Sequence, residues 1–143
     1  MAGNPCKIYL RTSKIKKDKD LRIHINLEDT TIHATFTIKA LIDCGATDCF
    51  INQKLVERKK LKVTNLTEPV PIYQSDGKKT LAGDLTGFVD LRMDYKGHQE
   101  IAHFYIMNLG DKDVFLGHLW LSKHNPEINW EKEEVHMSQC PKK

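Results

Sequence analysis

The sequence predicts an all-β domain, and its length, composition and apolar spacing carry that prediction. The chain has 143 residues, which suits one domain on the usual range of about 100–200 residues. Its hydrophobic fraction of 40% and charged fraction of 29% are ordinary for a globular protein with a core. Short apolar segments recur about every ten residues, and few segments have helical spacing. A β-barrel or β-sandwich is therefore expected.

The first predicted strands form a hairpin. Residues 1–20 are lysine-rich and without periodicity, so they are predicted to be a basic arm or a loosely held strand, with the domain spanning 21–140. Apolar and polar residues alternate from Leu21 to Leu27 and again from Ile32 to Ile38, with a turn between them. Two such segments most simply pair antiparallel.

A third strand and a helix follow the hairpin. Ala40-Leu41-Ile42 is predicted as a separate short strand that ends at Asp43. Phe50 to Lys59 has apolar residues on one helical face, with Thr47 or Asp48 available as the N-cap. We expect a helix of one or two turns there.

Two further hairpins are indicated by glycine-containing turns. Residues 70–73 and 80–85 flank Ser75-Asp76-Gly77-Lys78, and residues 85–95 and 99–107 flank Lys96-Gly97. Asp-Gly between extended segments favours a tight turn, because glycine accepts the positive φ that the turn requires.

The last part of the chain combines a strand, a helix and a hairpin. Val114-Phe115-Leu116 is a predicted strand that leads into Gly117. His118 to His124 is predicted as a second short helix, ended by Asn125-Pro126. A final hairpin is expected over 128–135.

Charge and hydropathy argue against nucleic acid and membrane as binding partners. The net charge of +3 is too balanced to favour nucleic-acid binding, although Lys7 to Arg22 and Arg58 to Lys62 are basic. No aromatic residues are interleaved with these bases for stacking on nucleotides. No apolar run reaches the length of a membrane span or a signal peptide, so no membrane partner is expected.

The cysteines favour reduced thiols in a cytoplasmic protein. Four of them are too few and too scattered for a disulfide scaffold. Cys44 and Cys49 lack a matching second pair of ligands, and the histidines do not have the spacing of a zinc motif, so no metal is expected. The abrupt end at residues 140–143 suggests a domain cut from a longer polyprotein.

One acidic residue stands where chemistry is possible. The apolar residues before Asp43 deliver its carboxylate to the end of a strand, and Gly45 lets the chain turn so that backbone N–H groups approach that carboxylate. Asp-x-Gly alone is equally typical of an aspartate that merely caps a turn.

A wider pattern favours the catalytic interpretation. Residues 40–51, ALIDCGATDCFI, resemble the active-site strand and loop of the retropepsins, the aspartic protease domains of retroviruses and LTR retrotransposons. Residues 113–121, DVFLGHLWL, resemble the second signature of that family, and residues 122–130, SKHNPEINW, resemble the segment that follows in Gypsy-type elements of fungi. The resemblance extends from about Leu21 to Cys140. It implies a closed barrel with a flap hairpin and one or two short helices.

The resemblance also implies roles for individual residues. Asp43 would be the catalytic residue in an active-site loop with Cys44 and Gly45. Substrate main chain would lie against Gly45, Ala46, Thr47 and Asp48. The flap over the substrate would contain Ser75, Asp76, Gly77 and Lys78, and Leu116 and Gly117 would support the loop from below.

The number of catalytic aspartates in one chain then predicts how many chains form the active protein. An aspartic protease needs two carboxylates about 3 Å apart that share one proton. Only Asp43 stands in the right context, so the active form is expected to be a homodimer with a polypeptide substrate and no cofactor.

Cys44 departs from the family pattern. The family has Ser or Thr there, whose hydroxyl bonds across the dimer, whereas a thiol is a weak donor and a poor acceptor. Two interpretations stay open: an active endopeptidase that processes a retrotransposon polyprotein, and a catalytically silent module for dimerisation or peptide binding. Cys44 itself is a poor nucleophile candidate, because the sequence places no histidine to activate its thiol.

Overall fold

The computed structural model describes residues 8–10, 21–74, 77–79 and 83–138. Within them lie strands and two short helices. The strands are β1 (Ile8–Leu10), β2 (Leu21–Asp29), β3 (Ala34–Ile42), β4 (Phe50–Asn52), β5 (Thr64–Val70), β6 (Ile72–Gln74), β7 (Leu85–Tyr95), β8 (His98–Met107), β9 (Val114–Leu116), β10 (Glu127–Asn129) and β11 (Glu134–His136). The helices are α1 (Gln53–Lys59) and α2 (His118–His124).

Six of these strands close into a barrel. The order around it is β2-β3-β9-β4-β8-β7, and β2 also pairs with β7 to complete the circle. β5 pairs with β7 as a branch outside the closed ring. Closure removes the exposed sheet edges that would otherwise pair with other chains. The predicted all-β barrel with short helices is confirmed.

The first hairpin is confirmed, but the predicted third strand is not separate from it. β2 and β3 pair antiparallel from Leu21↔Ile42 to Asp29↔Ala34. Buried and exposed residues keep alternating through Ile38, Lys39 and Ala40. The strand therefore continues past Ile38 to Ile42 without a break.

The predicted helix over Phe50–Lys59 was too long at its start. Phe50–Asn52 is β4, which pairs with β8 on one side and β9 on the other. A short apolar run buried on both sides does not distinguish strand from helix by periodicity. α1 begins only at Gln53, and its N-cap is Asn52 rather than Thr47 or Asp48.

The β7–β8 hairpin and α2 have the expected positions. The turn between β7 and β8 has positive φ at both Lys96 (51°) and Gly97 (85°), which matches the twist of a tight hairpin. α2 spans the predicted residues and ends at Asn125, which adopts the left-handed conformation before Pro126. β10 and β11 form the final antiparallel hairpin.

β5 was not expected, and β1 agrees with the loosely held strand that was one of two alternatives for residues 1–20. β5 has a mostly exposed pattern, so it carries no alternation to detect. β1 comes from the predicted basic arm and pairs parallel with β6. The rest of that arm lies outside the described residues.

Buried side chains form two clusters. The larger fills the barrel between β2, β3, β7, β8 and β9. The smaller contains Ala46, Phe50, Ile72, Leu85, Met107 and Leu109. Neither helix in the described ranges, each of seven residues, has the length and apolar character of a membrane span.

Candidate active site

Asp43 lies immediately after β3, and the sheet holds its backbone. β3 runs parallel to β9, and the Asp43 N–H extends that ladder by donating to the Leu116 carbonyl at 3.0 Å. The Asp43 side chain is buried, and its Oδ1 accepts the Gly45 N–H at 3.0 Å. The Ala46 N–H donates to the Asp43 carbonyl at 3.1 Å. The carboxylate is therefore held by the turn that follows it.

The start of α2 clamps the loop after Asp43. The His118 N–H donates to the Ala46 carbonyl at 2.7 Å, and the Leu119 N–H donates to the Thr47 carbonyl at 2.9 Å. These N–H groups belong to the first turn of the helix and have no partner within it. The loop carbonyls thus satisfy the helix, and the helix fixes the loop.

Gly117 allows this close approach. A Cβ atom at this position would lie 2.1 Å from the Asp48 carbonyl oxygen and 2.8 Å from that of Ala46. Both obstacles are backbone atoms of the loop, so no side-chain movement can relieve the clash. Leu116 and Gly117 therefore contact the loop, and their role as its support in catalysis stays a prediction.

The loop presents two kinds of surface. Cys44 and Gly45 are exposed, whereas Thr47 and Asp48 are half-buried. Thr47 Oγ1 donates to Asp48 Oδ2 at 3.1 Å. Burial raises the pKa of the Asp48 carboxyl, against smaller opposing effects of the Thr47 hydrogen bond and of His103. The exposed part of the loop is accessible to a second molecule.

The described cysteines are chemically distinct. Cys44 is exposed and Cys49 is buried, and neither forms a disulfide within the described ranges. Burial raises the pKa of the Cys49 thiol to about 12, so this thiol stays protonated and unreactive. Cys6 and Cys140 lie outside the described residues.

The predicted flap is partly described. Tyr73 and Lys79 form an antiparallel bridge, and Gly77 has φ of 90° between them. Gly77 and Lys78 are exposed. Ser75 and Asp76 lie outside the described residues.

The small apolar cluster connects this hairpin with the loop that follows Asp43. Its members include Ala46 from the loop and Ile72 and Leu85 from the base of the hairpin. Contact between them places the hairpin base beside the loop. The function of the hairpin as a mobile lid stays a prediction.

Sequence reasoning missed one polar cluster. His98 and Glu100 on β8 lie beside His124 of α2, and their nitrogen and carboxylate atoms are all within 4.8 Å of one another. The sequence analysis found no zinc motif among the histidines, because His124 reaches His98 and Glu100 through the fold and not through a short spacing along the chain. The available signal was the i, i+2 spacing of His98 and Glu100, which places both side chains on one strand face.

The barrel, the strand-end aspartate and the glycine-dependent clamp define a retropepsin-like domain of the aspartic protease type. Residues 39–143 match the family model described as the PEG10/RTL1 protease domain. This match covers more than half of the chain, and the protein belongs to that family.

Solved structures of two other proteins have a similar fold. One is the retroviral protease-like domain of Ddi1 from Leishmania major, with 17% identity and a TM-score of 0.55 over 80% of this chain and 86% of that one. Another is EIAV protease complexed with the inhibitor HBY-793, with 15% identity and a TM-score of 0.54 over 82% of this chain and 98% of that one. At these identities the likeness concerns the fold.

Proposed function

We propose that the protein is an aspartic endopeptidase that acts as a homodimer, with Asp43 of each protomer as the catalytic residue. The observation that carries the proposal is the placement of Asp43, a buried carboxylate at a strand end whose Oδ1 accepts the Gly45 N–H. A carboxylate that only capped a turn would not need a second element to clamp the loop. Here the first turn of α2 does so.

The chemistry follows from pairing two such carboxylates. Two carboxyl groups about 3 Å apart cannot both be ionised, because their negative charges repel, so the pair holds one shared proton. The ionised carboxylate removes a proton from a water molecule, which attacks the peptide carbonyl. The protonated carboxyl donates a hydrogen bond to that carbonyl oxygen. Gly45, Ala46, Thr47 and Asp48 would bind the extended peptide, under the flap of residues 75–78.

We propose further that this endopeptidase belongs to a retrotransposon of the Gypsy type, as found in fungi. Its support is the resemblance of residues 122–130 to the segment that follows the second signature in those elements. The substrate would then be the polyprotein of the element, processed in the cytoplasm. No metal or organic cofactor takes part in the proposed reaction.

Peptide cleavage by matched variants tests the proposal. The parent protein and Asp43→Asn are each incubated with a peptide library, and products are identified by mass spectrometry across a range of pH. We expect cleavage by the parent that is fastest at mildly acidic pH, because one carboxyl of the pair must stay protonated. Asp43→Asn should lose at least about a thousandfold in rate, as expected when a member of a catalytic unit is removed.

The exposed Asp111 supplies a control for the same chemical change. Asp111→Asn removes a carboxylate whose side chain is 89% exposed and whose partner is Lys112, so it should cleave like the parent. Equal cleavage by the parent and by Asp43→Asn would contradict the proposal.

A silent module for dimerisation or peptide binding is the second candidate, and Cys44 is the observation that favours it. This thiol is exposed at the tip of the loop, where the related proteases are expected to have a hydroxyl. If the parent does not cleave the library and Cys44→Ser does, the parent is a silent copy. If both cleave, the second candidate is wrong.

A further inference from the structure

A histidine–glutamate cluster lies outside the proposed active site, where β8 meets α2. We call His98, Glu100 and His124 the β8–α2 cluster. His98 Nε2 lies 3.3 Å from Glu100 Oε2, and His124 Nε2 lies 2.9 Å from the same oxygen. The side chains are 14%, 12% and 5% exposed, in chain order. Three potential ligands from two elements therefore lie together where little solvent is accessible.

Hydrogen bonding alone accounts poorly for this arrangement. The Trp120 indole Nε1–H also donates to Glu100 Oε2, at 2.9 Å. Three nitrogens therefore surround one carboxylate oxygen, which offers about two lone pairs. The other oxygen, Oε1, has the ammonium of Lys123 at 3.8 Å. The two imidazole nitrogens and the indole compete for one acceptor.

A cation between these atoms would replace that competition with coordination. Two neutral imidazoles and one carboxylate form a donor set that zinc and neighbouring transition metals prefer. In a tetrahedral zinc site with bonds of about 2.0–2.1 Å, neighbouring ligand atoms lie about 3.3 Å apart. The distances of 2.9 and 3.3 Å to Glu100 are close to that value. All three ligand atoms lie within 4.8 Å of one another, so the two imidazoles would draw closer together when an ion binds.

The surroundings match those of a metal ligand shell. A ligating carboxylate is usually held by a further hydrogen bond, and here Trp120 supplies it.

We propose that His98, Glu100 and His124 bind one divalent transition-metal ion, with Zn²⁺ as the representative case, in a site separate from Asp43. The ion would join the C-terminal end of α2 to the start of β8. The proposal does not depend on protease activity, and its test uses binding alone.

The test is titration of the metal-free full-length protein with Zn²⁺, by calorimetry and native mass spectrometry. We expect one ion per chain and a higher Tm with Zn²⁺ than with chelator. Co²⁺ should give the visible absorption of a nitrogen- and oxygen-bound ion. Glu100→Gln and His98→Gln should each weaken Zn²⁺ binding at least tenfold, while circular dichroism shows both variants folded.

The chain contains a matched control in β11. Glu134 and His136 have the same i, i+2 spacing on a strand and a similar separation, 3.4 Å, but both are about half exposed. They are absent from the three-ligand cluster found in the described residues. His136→Gln should therefore bind Zn²⁺ like the parent.

Three results would overturn the proposal. The parent could bind no Zn²⁺ at a one-to-one ratio. His98→Gln could bind as tightly as the parent, which would place the ion elsewhere. A thiolate-to-cobalt absorption band would place the ion on a cysteine instead.

Discussion

At the scale of the residue, Gly117 connects the second signature of the sequence with the loop that follows Asp43. Its missing side chain lets α2 begin directly beneath the carbonyls of Ala46 and Asp48. The adjacent N–H of His118 then bonds to the loop. The absence of a side chain at Gly117 therefore allows α2 to hold the loop after Asp43.

Gly117→Ala should destabilise the protein by about 2–3 kcal/mol, because the new Cβ atom meets backbone that cannot move aside without opening the loop. Chemical denaturation measures the loss. Gly87→Ala is the control, since its Cβ would meet Val63 Cγ1 at 3.2 Å and the Thr64 carbonyl oxygen at 3.3 Å. We expect the control to cost less than about 1 kcal/mol. Equal losses in the two variants would show that the clamp is not tightly packed.

At the scale of the element, Asn52 joins α1 to the connection between β8 and β9. Its Oδ1 caps the helix by accepting the Lys54 N–H at 3.0 Å. Its Nδ2 donates to the carbonyls of Gly110 and Lys112 at 2.9 and 2.7 Å. The side chain is buried, and its removal would take one hydrogen bond from each of these three partners.

Asn52→Ala should therefore lower the free energy of unfolding by about 2–4 kcal/mol, through loss of the cap and of the two hydrogen bonds to the carbonyls of Gly110 and Lys112. Asn52→Asp keeps the oxygen that caps the helix but places a carboxylate against those carbonyls. Its free energy of unfolding should therefore be no higher than that of Asn52→Ala. Asn108→Ala, an exposed asparagine in the same connection with one bond to the Gly110 N–H at 2.9 Å, should cost less than about 1 kcal/mol. The interpretation fails if Asn52→Asp is as stable as the parent.

At the scale of the whole molecule, the proposed chemistry requires two chains. The closed barrel supplies one Asp43, and the exposed loop tip at Cys44 and Gly45 is where a second copy would meet it. A thiol at this tip forms weaker hydrogen bonds than the hydroxyl that the resemblance implies. The dimer is therefore expected to form, but weakly.

Sedimentation over a range of concentrations should show a mass that rises from 16.5 kDa towards twice that value. Cys44→Ser should strengthen dimerisation more than about tenfold, since it adds two hydrogen bonds of about 1 kcal/mol each by symmetry. Cys49→Ser places a hydroxyl in the core, away from the tip, and should leave dimer affinity unchanged. A chain that stays monomeric at every concentration would exclude the paired mechanism.

Local patterns in the sequence determined the all-β class, the β2–β3 and β7–β8 hairpins, α2 and the strand-end position of Asp43. Each depends on alternation, turn residues or caps within a short stretch of chain. The boundary between β4 and α1 was not determined in this way, because Phe50 and Ile51 are buried on both sides by strands distant in sequence.

Only the tertiary structure decided which distant groups meet. It placed Gly117 against the backbone of the loop, Asn52 against the β8–β9 connection, and His124 beside His98 and Glu100. These contacts depend on how the barrel closes. The periodicity within a short segment does not encode how far that segment lies from a partner distant in sequence.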